Sequence, residues 1–254
     1  EGERAGDFDY YVMSLSWSAA WLEKFEKWKN YKLVILPSER KYLATTWENL
    51  KEYLYAGGNL YLNYYWGKYD FHQGIWSHNF ESLIGCKLDL RYGLAKTLPL
   101  KVAVTFAGTT WYLSTERCGT WDKSYVPVLA TSESDEKVEI SQFGLNLVKN
   151  KVGKGTLFFL NFPLEHILSM EENANFSDQS HLFYRYVASK SHLSLCYSDN
   201  AKVRVRRLNT SKEKIYLLQN VSWNDEFVSF IIDGSLFYSI KTHLEPKECR
   251  LISL

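Results

Sequence analysis

The residues best equipped for chemistry stand together in one stretch, Tyr64 to Trp76, with the sequence YYWGKYDFHQGIW. Tyr65, Trp66, Tyr69 and Trp76 offer flat ring faces, and Lys68, Asp70 and His72 lie among them. Rings of this kind stack on the C–H faces of sugars, while ammonium, carboxylate and imidazole groups bond the hydroxyls. One reading is therefore an oligosaccharide site built from Tyr65, Trp66, Tyr69, His72 and Trp76. The other is an aromatic interface with a neighbouring domain or subunit, for which the same ring types are suited. Residue types alone leave both open.

Other chemistries lack their residues. No GxxxxGK[ST] or GxGxxG stretch is present to cradle a phosphate, and the GKG at Gly153 to Gly155 reads as a hairpin turn. Cys86, Cys118, Cys196 and Cys249 lie far apart without CxxC or CxxH spacing, so they read as buried thiols rather than zinc ligands. One disulfide stays open if the protein is exported. No metal or organic cofactor is expected. A retaining glycosidase needs two carboxylates about 5 Å apart. The 29 acidic residues here are not carried on an eightfold strand–helix repeat that would present such a pair. Glu39, Glu48 and Glu52 read as solvated charges on a helix face. Asn175, Asn209 and Asn220 open N-x-[ST] triplets, which arise often by chance.

The formal net charge of +1 gives no electrostatic reason to expect nucleic acid or an anionic membrane as partner. No apolar run approaches the roughly 20 residues of a membrane span. With 46% hydrophobic and 23% charged residues the chain reads as a soluble globular protein, and its 254 residues allow one large domain or two ordinary ones. The compartment is open, with the cytoplasm favoured.

The elements that must position the Tyr64–Trp76 loop come just before it. Lys32 to Leu36 is a short apolar run closed by Pro37, suited to a strand buried on both faces. From Thr45 to Ala56, Trp47, Leu50 and Leu54 form a helical face, and Gly57 and Gly58 stop the helix. Asn59 to Tyr64 is a second strand, parallel to the first by the usual crossover. The loop then leaves the C-terminal end of a sheet strand, where open α/β sheets place their ligand crevices. Upstream, Trp21, Phe25 and Trp28 have helical spacing. Downstream, strands are expected at Lys101 to Phe106, Thr109 to Ser114, Val126 to Ala130, Lys137 to Ile140 and Thr156 to Asn161. Helices are expected from Leu164 to Met170 and from a Ser177 cap through Ala188, the latter with Leu182, Phe183, Tyr186 and Val187 on one face. After His192 six short runs follow at about ten-residue spacing without helical period, which suggests a small antiparallel sandwich. The expected division is 1–190 for an α/β domain and 191–254 for a β-sandwich, with no flexible linker between.

A strand ending in ILPS, a helix, AGGNLYL and a loop leading to FESLIG resemble a known domain. It is the class I glutamine-amidotransferase-like, flavodoxin-like domain that lies behind the catalytic barrel of some glycoside hydrolases, notably family 42 β-galactosidases and related β-mannosidases and mannanases. VPVLATSES followed by GKGTLFFLNFPLEHIL, Val126 to Leu168, is similar to the block that forms the last strands of that sheet, and LEPKECRLISL to the last strand of a closing β-domain. The resemblance implies a parallel sheet with helices on both faces, an upstream (β/α) barrel of the same protein as partner, homo-oligomers, and β-galactosides or β-mannosides as the parent's substrates. An active amidotransferase needs a GxCxG elbow and a downstream His–Glu pair. NYYWGKYDF stands where the elbow belongs, without cysteine, so Glu165 and His166 are expected to serve structure and this chain to be non-catalytic. The expected role is accessory, with an independent carbohydrate-binding module as the alternative.

A second resemblance is local. AGDFDYYVMSLSW is similar to the first strand of secreted acid ribonucleases of the plant self-incompatibility type, whose histidine motifs are HGLWP and HEWxKHG. Here HQGIW at His72 carries an extra Gln73 and no proline, and HNFESLIGC at His78 has Leu83 in place of the second histidine. One of the two proton carriers that RNA cleavage needs is missing.

Overall fold

In the computed structural model, the described residues are 25–36, 44–63, 82–89, 98–117, 128–132, 136–170, 179–193, 196–200, 202–209, 214–232 and 238–253. The chain divides into two compact units, Val12–Ala174 and a second built from Asn175–Leu254 with Glu1–Tyr11.

The first unit holds a five-stranded sheet in the order β1-β2-β9-β8-β7. Its strands are β1 (Leu33–Leu36), β2 (Asn59–Asn63), β7 (Glu136–Ser141), β8 (Leu145–Val152) and β9 (Gly155–Leu160). β1, β2 and β9 run parallel, while β8 and β7 pair antiparallel. The sheet is therefore mixed rather than parallel throughout, because a two-residue turn folds β8 straight back onto β9 and leaves no room for a crossover helix. β1 was expected to be buried on both faces. It lies at the end of the sheet, and only Val34 and Leu36 are buried, in alternation with Leu33 and Ile35. The central β9 is buried at every residue. β6 (Val128–Ser132), expected among the last strands of this sheet, pairs instead with β3 (Cys86–Asp89). β4 (Lys101–Phe106) and β5 (Thr109–Ser114) form a hairpin.

A core cluster of the first unit forms around a buried tryptophan. Trp28, in α1 (Phe25–Trp28), is wholly buried, with Phe25 at 4.9 Å and Tyr53 at 5.4 Å, both edge-on. From α2 (Ala44–Ala56) come Trp47, Leu50 and Leu54 as expected, joined by Tyr53, whose hydroxyl donates to Tyr31 O at 2.6 Å. Glu48 and Glu52, on the same helix, are exposed, and Glu48 pairs with Lys51 at 2.6 Å. The glycines end α2 in a Schellman motif: Gly58 N–H donates to Tyr53 O at 2.9 Å and Gly57 N–H to Leu54 O at 3.1 Å, with Gly57 at φ 116°. The β8–β9 turn then sits on this helix end. A Cβ on Gly155 would lie 2.0 Å from Gly58 O and 2.5 Å from Leu54 O, so the GG and the GKG are two halves of one close backbone contact.

The second unit begins with α4 (His181–Lys190), reached after α3 (Leu164–Ser169) of the first. The buried face of α4 is His181, Phe183, Tyr184, Val187 and Ala188, rotated from the expected one so that Leu182 and Tyr186 are half-buried. Among the described residues six strands follow, as the spacing predicts: β10 (Cys196–Ser198), β11 (Val203–Asn209), β12 (Lys214–Asn220), β13 (Glu226–Ile232), β14 (Tyr238–Leu244) and β15 (Cys249–Ser253). They form two antiparallel sheets, β10-β13-β14 and β11-β12-β15. Cys196, Val203, Val205, Tyr216, Leu218, Val228 and Leu244, drawn from both sheets, share one core. Arg185 of α4 lies 3.7 Å over the Tyr197 ring.

Candidate functional site

Tyr65, Trp66, Tyr69, His72 and Trp76 lie outside the described residues, which stop at Asn63 before that loop. What is described is the strand end that precedes this stretch. β2 ends there with Tyr61, Leu62 and Asn63, all buried, and Asn63 stands in register with Leu160 of the parallel β9. Beyond β9, Asn161 is wholly buried: its side-chain oxygen accepts from Asn146 N–H at 2.7 Å and its amide donates to Gly144 O at 2.9 Å. Pro163 follows this clamp as the N-cap of α3.

α3 brings Glu165 back to β2. The Tyr61 hydroxyl donates to Glu165 Oε1 at 2.8 Å, and Asn63 Nδ2 donates to Glu165 Oε2. Tyr61 and Asn63 are two apart on one strand and so point to the same face. Both oxygens of the carboxylate are thereby engaged by groups more than a hundred residues earlier in the chain. The arrangement is a tie between a strand end and the helix after the next parallel strand. Two charge-assisted hydrogen bonds hold the carboxylate in one orientation, with lone pairs left for further donors. Sequence reasoning gave Glu165 a structural part but missed Tyr61 and Asn63 as its partners. A polar residue ending an otherwise apolar strand was the available signal.

No thiol stands at this edge among the described residues. Cys86 is packed into the core cluster beside Leu83 and Ile84, and Cys196 into that of the second unit, as buried small apolar groups. Cys249 is exposed, against expectation, because β15 directs it outward. Among the described residues no group of three His, Cys, Asp or Glu side chains is placed to hold a metal ion, and no helix is long and apolar enough to cross a membrane. Of the N-x-[ST] triplets, Asn220 is buried to 1% exposure and fully used in hydrogen bonds. That explains its presence without a glycan.

No protein-family model matches this chain, and no curated protein does. Solved structures do. A β-galactosidase from Rahnella sp. R3 is similar over 89% of this chain and 32% of its own, at 15% identity and a TM-score of 0.51. Gan42B, a GH42 β-galactosidase from G. stearothermophilus, covers the same shares at 15% identity and a TM-score of 0.48. An exo-β-1,4-mannosidase from Opitutaceae bacterium strain TAV5 covers 62% of this chain and 25% of its own, at 11% identity and a TM-score of 0.41. The chain spans about a third of the β-galactosidases it matches, and the likeness to the Rahnella protein is one of fold.

Proposed function

We propose that this chain is a non-catalytic accessory region of a carbohydrate-active enzyme, a glycoside hydrolase acting on β-galactosides or β-mannosides. The observation that carries the reading is the fold likeness to the Rahnella β-galactosidase, which takes in 89% of this chain but only 32% of that one. Two features support it. The edge of the sheet where α/β domains do their chemistry is occupied by a Tyr61–Glu165–Asn63 tie, and NYYWGKYDF supplies no cysteine there. The sheet is read as a flavodoxin-like, amidotransferase-like scaffold whose antiparallel strands β8 and β7 depart from the all-parallel pattern. Its role is to buttress an upstream (β/α) barrel and to mediate self-association, with Tyr65, Trp66, Tyr69, His72 and Trp76 lent to the sugar cleft.

The test is direct. The 254-residue chain, incubated alone with nitrophenyl β-galactoside, nitrophenyl β-mannoside and RNA, leaves all three intact, and light scattering gives a mass above 29.7 kDa. Turnover of either glycoside at a rate that scales with protein and survives repurification overturns the accessory reading. RNA cleavage abolished by His72→Ala turns it toward the ribonuclease.

A further inference from the structure

An aromatic surface lies in the C-terminal β unit, on a strand the spacing predicts and the turn before it. Trp223 is 80% exposed and Phe227 is 77% exposed. Single exposed apolar residues are ordinary, but these two stand on segments tied together by hydrogen bonds. Along β13 the neighbours Glu226 and Val228 are buried, so the alternation of the strand turns Phe227 outward, opposite His243 of β14. The Phe227 and His243 rings stand 4.9 Å apart, and His243 Nε2 lies 3.3 Å from Asp225 Oδ1, with both polar side chains largely exposed. The ammonium of Lys247 sits 4.3 Å from the Trp223 ring.

The loops carrying these groups are locked from below. Asn220 donates to Asn224 O and Glu245 O, each at 2.8 Å, and accepts from Ser222 N–H at 2.9 Å. Lys247 Nζ donates to Val221 O, and Lys247 N–H to Ser222 O at 3.2 Å. Glu226 accepts from Asn200 at 2.8 Å and from the Ser222 hydroxyl at 3.1 Å, and pairs with Lys202 at 2.9 Å. The β12–β13 and β14–β15 loops are thus one stitched piece. Exposed rings fixed in this way lose little freedom on meeting a ligand.

We propose that Trp223 and Phe227, with Asp225, His243 and Lys247, form a saccharide-binding platform. Lys247 covers one face of the indole, and the exposure of Trp223 leaves the other to the C–H face of a pyranose. Asp225 and His243 are placed to bond hydroxyls of a sugar unit over Phe227. The Lys247 ammonium lies on the Trp223 ring itself and the His243 imidazole on Phe227, so polar groups stand at the rings rather than back at a rim. The apolar centre of a protein–protein contact is depleted of such charges, whereas a ligand covered in hydroxyls uses them. The platform is separate in sequence from the Tyr64–Trp76 loop and does not depend on the accessory reading.

The experiment is affinity electrophoresis and calorimetry of the full chain with soluble β-1,4-galactan, β-1,4-mannan, xylan and mixed-linkage β-glucan. At least one polysaccharide retards the protein. Trp223→Ala and Phe227→Ala each weaken binding about tenfold or more, as central aromatic contacts do, with an unchanged melting temperature. Tyr112→Ala, which removes an exposed ring of β5 in the other unit, leaves this binding in place. Absence of binding to all four probes overturns the proposal. So does binding that both variants retain, or light scattering in which Trp223→Ala dissociates an oligomer, which makes the surface a contact between copies.

Discussion

Gly155→Ala tests the backbone contact on which the first unit is assembled. The added Cβ would meet Gly58 O at 2.0 Å and Leu54 O at 2.5 Å. Ordinary contact begins near 3.4 Å, so a gap of more than 1 Å must open between β9 and the end of α2. Neither obstacle is a side chain that can rotate away. Gly58 O also receives Thr156 N–H at 3.3 Å, and Lys154 N–H reaches Tyr55 O at 3.4 Å, so separation breaks bonds as well as packing. Overpacking of this kind costs about 3 kcal/mol. In a unit of this size each kcal/mol moves the melting temperature by about 2–4 °C, so a fall of about 6–12 °C is expected. Gly108→Ala is the control. Its Cβ meets nothing within 4 Å, but φ is +77°, so only the left-handed backbone penalty of about 1 kcal/mol applies. Urea unfolding followed by tryptophan fluorescence measures both. If Gly155→Ala costs no more than Gly108→Ala, the interlock between the β8–β9 turn and the α2 terminus is not what joins them.

Two further outcomes follow from named groups. Ala107 and Gly108 are the central residues of the β4–β5 turn, with φ 50° and 77°, a type I′ arrangement that favours Asn-Gly. Ala107→Asn is therefore expected to raise stability by about 0.5–1 kcal/mol, read as a higher urea midpoint with an unchanged slope. Glu226 has its carboxyl held below the ordinary 4.5, first by the Asn200 amide and then by Lys202. The unfolded chain takes up that proton at a higher pH than the folded one. The contribution is therefore complete above the ordinary value and lost as the pH falls through the folded one. Stability of the β unit should decline below about pH 4.5, and Glu226→Gln should flatten that decline. Part of the decline will remain in Glu226→Gln, because Glu248 is also held low, chiefly by the Glu245 N–H.

The sequence was legible where local chemistry and burial pointed the same way. The α2 face, its glycine stop, the GKG turn and the six C-terminal strands all carry period or turn signals that no distant contact overrides. It was opaque where pairing is non-local. β8 reads as LNLVKNKV, with polar Asn146, Asn150 and Lys149 among its apolar residues, and left no clear strand signal. Asn146 and Asn150 are buried and bond Gly144 O and Leu83 O, which a sequence pattern cannot show. The place of β6 beside β3 is likewise decided by partners some forty residues away. The WND segment around Trp223 has turn composition, and nothing local distinguishes an exposed ring on a locked loop from one on a loose loop.

The Glu165 and Glu226 carboxylates show how polar groups decide what each unit can do. Glu165 accepts from Tyr61 and Asn63, which belong to the strand whose end would otherwise present a reactive group. Hydrogen bonding there is directed inward, and its consequence is a fixed strand end. Glu226 is equally engaged, by Asn200, Ser222 and Lys202, but it stands next to Phe227 on an alternating strand. Satisfying the buried residue fixes the exposed one, because β geometry gives adjacent side chains opposite faces. The same investment in buried hydrogen bonds therefore supports a closed edge in one unit and an open aromatic surface in the other.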